Sequence, residues 1–580
     1  MNIYKLQSEI SEALSKPLSN VEFDKNFKLL VATEGFGDFS LNIAFKLAKA
    51  LRRSPKDIAN ELVNYLNLPY FETLSNDNGY INIKVNNAFY KEFLRALFES
   101  GSVYFKKEPQ KKKIQVEFVS ANPTGPLHVG NGRGGVIGDV VANVLKNRGF
   151  EVEKEYYVND AGNKMDLFGQ SIRYWYLKNF GVESVFPEEG YRGEYIKRIA
   201  DVIALVFKDR FINYDYERQV EVFKILGEYI LLGAANSNIE ELEILKKSNF
   251  TFDFPSILQS LKNFGVNYDN VFFESSLYEG NIIEVEEGLK LPEKLAEVII
   301  ELKKRNLLYK KDGAWWFKAT EFKDDKDRVL VKATGEPTYT LTDIAYHVDK
   351  FRRGHIKAID VWGADHFGHV ITMKALLEGV GIGGAFLDVI LYQIVHLFEG
   401  GVEVMMSKHT GKFYPLSDLI DKVGKDAARF FFLMKSADTH LNFDIDLATS
   451  QTLDNPVFYV QYTYARLHNI VEESKKRNVK FVDFDSALSE SLEPIERKIL
   501  NAIFYLNSIL DDISNDYSIH RIPNITLDLS SDINFFYQNY RVLGEENPIV
   551  RTKRFLIVKA SLEALSVLFD LMGIEKKEHM

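Results

Sequence analysis

Ile114-Gln115-Val116-Glu117-Phe118-Val119 runs into Ser120-Ala121-Asn122-Pro123-Thr124-Gly125-Pro126, and then into His128-Val129-Gly130-Asn131-Gly132-Arg133-Gly134-Gly135. In the first six residues apolar side chains alternate with Gln115 and Glu117, the period of a strand. The next seven hold two prolines and a glycine, which no helix tolerates. Beyond the glycines, Ile137, Val140, Val141, Val144 and Leu145 recur at helical spacing. Lys146 and Arg148 stand in the last turn and Gly149 is the stop. Val152 to Val158 reads as the next strand. The whole predicts a β-α-β unit with small, polar and imidazole groups at the mouth of its first crossover.

Such a mouth suits phosphate. Glycines let the backbone come close to an anion, and a helix start presents unpaired N–H groups with partial positive charge. Gly130, Gly132 and Gly135 formally satisfy the G-x-G-x-x-G dinucleotide pattern. That turn should follow its strand directly, however, and here a long proline-containing loop intervenes. His128 has no task in a dinucleotide site either. A nucleotide whose phosphates are attacked, with His128 as a donor, fits better.

Glu117 to Pro123, followed by His128-Val129-Gly130-Asn131, resembles the first signature of class I aminoacyl-tRNA synthetases, in its arginyl-tRNA synthetase form. Met405-Met406-Ser407-Lys408-His409 resembles the second signature, a mobile lysine-bearing loop. Two positions depart from the pattern: Asn131 stands where a second histidine is usual, and Met405 where the first lysine is. The resemblance implies an α/β fold: a Rossmann-like class I synthetase catalytic domain with an inserted mostly helical region, a small α/β N-terminal domain and an all-α C-terminal domain. The expected divisions are 1–110 (N-terminal, touching the tRNA elbow), 111–169 (catalytic, first half), 170–327 (helical insertion), 328–425 (catalytic, second half) and 426–580 (helical, anticodon-binding).

The rest of the chain supplies local expectations. Ser40 is expected to cap a helix carrying Ile43, Leu47 and Leu51, ended by Ser54-Pro55, and Asn78-Gly79 to start a strand with Ile81, Ile83 and Val85. Tyr339 and Asp343 are four apart, so a helical turn would put them on one face. Val361 to His369 is a short apolar strand entering a polar, glycine-containing turn, the place where an open parallel sheet binds ligands. Asn455 and Pro456 start a helix in which Val457, Val460, Tyr464, Leu467 and Val471 form an apolar stripe. Tyr459, Tyr462, Arg466 and Asn469 fall on its opposite face, a stacking surface for unpaired bases or a helix buried on both sides.

Composition sets bounds. The chain has 580 residues, a net charge of -10 and no cysteine. Disulfides and thiolate zinc sites are thereby excluded, and nonspecific grip on nucleic acid is disfavoured, so a tRNA would need local basic patches. No apolar run reaches membrane-spanning length.

The activity that the resemblance implies is arginine–tRNA ligation: ATP-dependent activation of L-arginine to arginyl-adenylate, then transfer to the 3'-terminal ribose of tRNA(Arg). It assigns His128, Asn131 and Lys408 to catalysis, and Gly130, Gly132, Gly363, Asp365, His369, Met406 and Ser407 to ATP. Glu117, Ser120, Asn122, Tyr339 and Asp343 go to arginine, and Tyr459, Tyr462 and Arg466 to tRNA. The expected partners are tRNA(Arg), L-arginine and ATP with Mg2+, with no protein-bound zinc and no membrane. A cytoplasmic monomer is expected. A synthetase for another amino acid is disfavoured by Glu117, Tyr339 and Asp343. A tRNA-binding relative with a decayed active site is disfavoured by the retained His128 and Lys408.

Overall fold

The computed structural model describes residues 1–15, 17–19, 27–33, 35–248, 250–252, 255–404 and 414–580. These form two compact units, one of residues 1–108, 147–149 and 450–580, the other of residues 109–146 and 150–449.

The second unit is built on a five-stranded parallel sheet. Its strands are β1 (Lys113–Phe118), β2 (Glu151–Val158), β3 (Asn270–Phe273), β4 (Lys357–Gly363) and β5 (Leu387–Tyr392), in the order β5-β4-β1-β2-β3. Helix α1 (Val129–Asn147) is the first crossover. It lies so close to β1 that a Cβ at Gly138 would stand 2.2 Å from Phe118 Cγ. Helices α2 (Tyr339–Arg352) and α3 (Phe367–Gly379) place Leu341, Ile344, Met373 and Leu376 in an apolar cluster with Leu387 of β5 and with Ile299. The β-α-β unit expected from residues 114–158 is present.

Two sequence expectations meet different structure here. Within the stretch 170–327, read as mostly helical, Asn270–Phe273 is a strand of the main sheet, pairing Tyr157 with Phe272, and two short hairpins follow it. A four-residue strand is too short for periodicity to reveal; its place is set by backbone pairing to β2 and by ring stacking of Phe272 on Tyr157 (5.9 Å, 11°). Residues 426–449, read as part of the C-terminal domain, belong to the sheet-bearing unit, because Leu441–Asp444 pairs in parallel with Val395–Glu399.

In the other unit, residues 450–580 form helices only, the long ones being Pro456–Lys476, Pro494–Asp516, Arg521–Asn539 and Pro548–Met572. Asn455 caps the first of these, accepting from Val457 N, with Pro456 at the first helical position. Residues 1–108 contribute a four-stranded antiparallel sheet. Ser40 does not cap a helix: it lies inside the strand Phe39–Leu41, opposite Asn82, because Phe39 and Leu41 are both buried there. The helix Ile43–Leu51 instead starts after Asn42, and Ser54 caps the next helix with Pro55 at its first position. Phe39, Phe89 and Phe93 pack around Phe504 within this unit. Arg148 is buried beside them, donating to the Phe105 carbonyl, to Asn507 Oδ1 (3.2 Å) and to Asp511 Oδ1 (3.2 Å).

Candidate active site

A cavity of about 980 Å3 opens beyond the carboxyl ends of β1 and β4. The chain leaves β1 in one direction across the sheet and returns through β4 in the other, so these two strands flank the switch point where an open parallel sheet binds ligands.

At the end of β1 the backbone turns sharply. Val119 (φ 68°) and Ser120 (φ 40°) are both left-handed, a conformation that a β-branched residue adopts only under constraint. The turn aims the Ser120 hydroxyl, which donates to Glu117 Oε1 (2.9 Å) and accepts from Tyr157 N (3.1 Å). Glu117, Ser120, His128, Gly130 and Asn131 all line the cavity. The helix begins at Val129, so these glycines sit in its first turn rather than in a loop. Asn131 Oδ1 accepts from His128 N (3.0 Å), which ties the helix start to the imidazole-bearing residue. A Cβ at Gly130 would lie 3.0 Å from the His128 ring. Gly132 is off the cavity: a Cβ there would meet Leu416 Cδ1 at 2.5 Å, so its task in this structure is close packing.

Gly363, Asp365, His366 and His369 line the β4 side, with the His369 ring 5.7 Å from that of Trp362. Asp343 of α2 lines it as well and meets His369 Nε2 at 2.8 Å. Tyr339, one turn earlier on the same helix, is 68% exposed and stands outside the lining, as does Asn122.

Several residues here were not singled out from sequence. Glu274 directly follows β3 and is 4% exposed. Burial, then the neighbouring Asp343, push its carboxyl up to about 7. The Tyr278 hydroxyl spans from Glu274 (3.4 Å) to Thr342 (3.1 Å). No sequence signal marks Glu274, since β3 itself was not legible. Lys350, fully buried, donates to Glu117 Oε2 (2.7 Å) and Asp360 Oδ1 (2.8 Å). Arg133, also fully buried, donates to the carbonyls of Gln393 (2.7 Å), Ser436 (2.9 Å) and Thr439 (2.9 Å), and burial holds its guanidinium down at about 10. It thereby fixes the cavity wall after β5 to helix α1, which begins directly after His128. Helical position was the available signal for both, since each stands on the inner side of its helix.

The second signature, with Met406, Ser407 and Lys408, lies outside the described residues. Among the described residues no group of three or more His, Asp or Glu could hold a metal ion, and no helix is long and apolar enough to cross a membrane.

The other unit has its own cavity of about 580 Å3, lined by Tyr462, Arg466, Asn469, Tyr537, Arg541 and Met580 among others. The Arg466 guanidinium lies 4.6 Å from the Tyr462 ring centre and 4.5 Å from that of Tyr537. Tyr459 is not part of this lining.

Three family descriptions match the chain: "Arginyl tRNA synthetase N terminal domain" over residues 4–85, "tRNA synthetases class I (R), catalytic domain" over 93–429, and "DALR anticodon binding domain" over 460–580. The chain is 36% identical to an arginine–tRNA ligase of Listeria welshimeri over 585 residues, covering 100% of this chain and 99% of that one. It is 37% identical to an arginine–tRNA ligase of Aquifex aeolicus, covering 99% of each. Among solved structures, the arginyl-tRNA synthetase of Thermus thermophilus shares the fold with a TM-score of 0.73 at 20% identity, covering 99% of this chain and 100% of that one.

Proposed function

This chain belongs to the class I arginyl-tRNA synthetases and acts as an arginine–tRNA ligase, and on that premise we propose how its site divides the work. ATP enters with Mg2+ on its phosphates. Its adenosine lies along Gly363, Asp365 and His369, and its phosphates reach His128, Gly130 and the side-chain amide nitrogen of Asn131 at the helix start. Lys408, with Met406 and Ser407 beside it, neutralises the departing pyrophosphate. Ser120 and Asn122 take the amino and carboxylate end of arginine, and Glu117, Asp343 and Tyr339 the guanidinium, with Asn122 and Tyr339 reaching the amino acid from outside the cavity lining.

The arginine carboxylate attacks the α-phosphorus and pyrophosphate leaves. The terminal ribose hydroxyl of the tRNA then attacks the adenylate carbonyl and AMP leaves. Neither step needs a protein nucleophile, so the work is positioning and charge stabilisation. A lysine in place of arginine would leave acceptors of this set unpaired, at a cost of ~1–3 kcal/mol for a buried one such as Glu117. The tRNA is held by residues 1–110 at its elbow and by 450–580 at its anticodon, where Tyr459, Tyr462 and Arg466 offer stacking faces. The working form is a cytoplasmic monomer.

The observation that supports this division is the convergence of four separate stretches on one cavity: Glu117 to Ser120, His128 to Asn131, Asp343, and Gly363 to His369. The test is arginine-dependent ATP–pyrophosphate exchange, run with and without tRNA(Arg) and with lysine as control. Exchange with arginine and not lysine is expected. Absence of exchange under every condition, with tRNA still bound, would point to a binding protein whose site no longer works.

A further inference from the structure

The floor of the cavity carries a charge arrangement that this division of labour leaves unused. Glu117 and Asp360 are partners in register on the adjoining strands β1 and β4, so their side chains point to the same face. Two carboxylates so close repel each other unless a cation stands between them. Lys350, from α2, is that cation, held to both at 2.7 and 2.8 Å, with the Tyr346 ring 4.4 Å from its ammonium. His347 joins the second oxygen of Asp360 (2.9 Å) to the Asp343 carbonyl (2.8 Å). Glu117 and Asp360 both line the cavity, whereas Lys350 stays beneath them.

We propose that Lys350 is a positioning residue for the amino acid: it offsets the charge of Asp360, so that the Glu117 carboxylate is kept ionised and fixed against the cavity, where the substrate's guanidinium meets it. The inference rests on Glu117 being an arginine contact. Burial raises the Glu117 carboxyl, against the pull of Lys350. At Asp360 burial is outweighed by Lys350 and His347, and the carboxyl lies below its ordinary range. Without the lysine, a proton would therefore settle on Glu117. The other groups facing Glu117 are Tyr346 and His347 of α2, Tyr157 of β2 and Tyr268 just before β3. The three phenols are all pushed further from ionisation by burial and bring no positive charge. Glu155, next on β2, is held by Arg353 and Tyr346.

Lys350→Gln keeps two N–H donors and removes the charge. Arginine and ATP KM values are measured by exchange between pH 6.5 and 8, with Glu117→Gln, Asp360→Asn and the Lys350→Gln/Asp360→Asn double variant alongside. The expected result for Lys350→Gln at pH 7 is an arginine KM raised roughly 10- to 100-fold with the ATP KM within about twofold. Raising the pH should narrow the gap to the unaltered chain measured at the same pH, and so should the double variant, because either returns charge to Glu117. A role confined to holding the fold would move melting temperature, or both KM values together, and give no recovery. An arginine KM raised by Glu117→Gln but untouched by Lys350→Gln overturns the role of Lys350 alone. One untouched by Glu117→Gln overturns the reading of Glu117 and this inference with it. If Lys350→Gln does not fold, the double variant carries the test, since it leaves this cluster with the same net charge as in the unaltered chain. Its expected arginine KM is near that of the unaltered chain, and a large arginine-selective loss overturns the proposal.

Discussion

Lowering the pH from 8 to 6 should weaken arginine binding by about tenfold, through Glu274. This carboxyl, which lies outside the cavity lining, sits at about 7, raised by burial and then by Asp343. A guanidinium seated at Asp343 brings positive charge into the same acidic corner and favours the ionised form. If Glu274 is ionised in the complex, the apparent Kd scales as one plus the protonated-to-ionised ratio in the free protein. That factor is about 11 at pH 6 and about 1.1 at pH 8, a difference of ~1.4 kcal/mol. Titration calorimetry with arginine across this range reads it directly, and Glu274→Gln should flatten the profile. A slope that survives in Glu274→Gln would belong to another group, and a flat profile in the unaltered chain would show that Glu274 does not feel the ligand. Stability gives a second reading with a worked sign. The folded carboxyl binds its proton more tightly than the unfolded one does, so it contributes nothing adverse below the unfolded pKa. It costs stability as pH rises toward and through 7. Glu274→Gln should therefore be more stable than the unaltered chain at pH 8, by on the order of 1–3 kcal/mol in denaturant unfolding, and lose that advantage by about pH 4.

Asp343→Ala should raise the arginine KM by on the order of 100-fold, through loss of charge-assisted hydrogen bonds, and the ATP KM far less; equal rises in exchange assays would make Asp343 structural. Gly138→Ala drives a Cβ to 2.2 Å from Phe118 Cγ and should cost about 1–3 kcal/mol of stability, read as a lower melting temperature. Arg148→Met strands the acceptors of a buried guanidinium and should cost ~3–5 kcal/mol, read by denaturant unfolding. Arg466→Ala removes the cation lying over Tyr462 and Tyr537 and should weaken tRNA binding in a filter assay while leaving both small-substrate KM values unchanged.

The first crossover was legible because its signals are local: a short alternating run, a proline-broken loop, and an apolar stripe at helical spacing, which became β1, α1 and β2. Asp343 was legible for the same reason, its spacing from Tyr339 being that of one helical turn. That spacing gave a shared face but not a shared burial, and Tyr339 ended outside the cavity lining. Ser40 shows the opposite failure, a good capping residue drawn into a strand by two buried neighbours.

By itself, the sequence determined the type of sheet and the helix that opens on the cavity, since each follows from residue types within a few positions of one another, and its lack of cysteine excluded a thiolate metal site. Only the tertiary structure decided which of the glycines face the cavity, where Glu274 falls, and that Lys350 stands between Glu117 and Asp360. Glu117 and Lys350 are 233 positions apart and Glu274 and Asp343 meet only through the sheet, so their interaction exists once distant strands have paired and has no trace in local spacing. Burial is likewise a property of the packed chain, and it is burial that turns these ordinary carboxyl and ammonium groups into a site sensitive to charge.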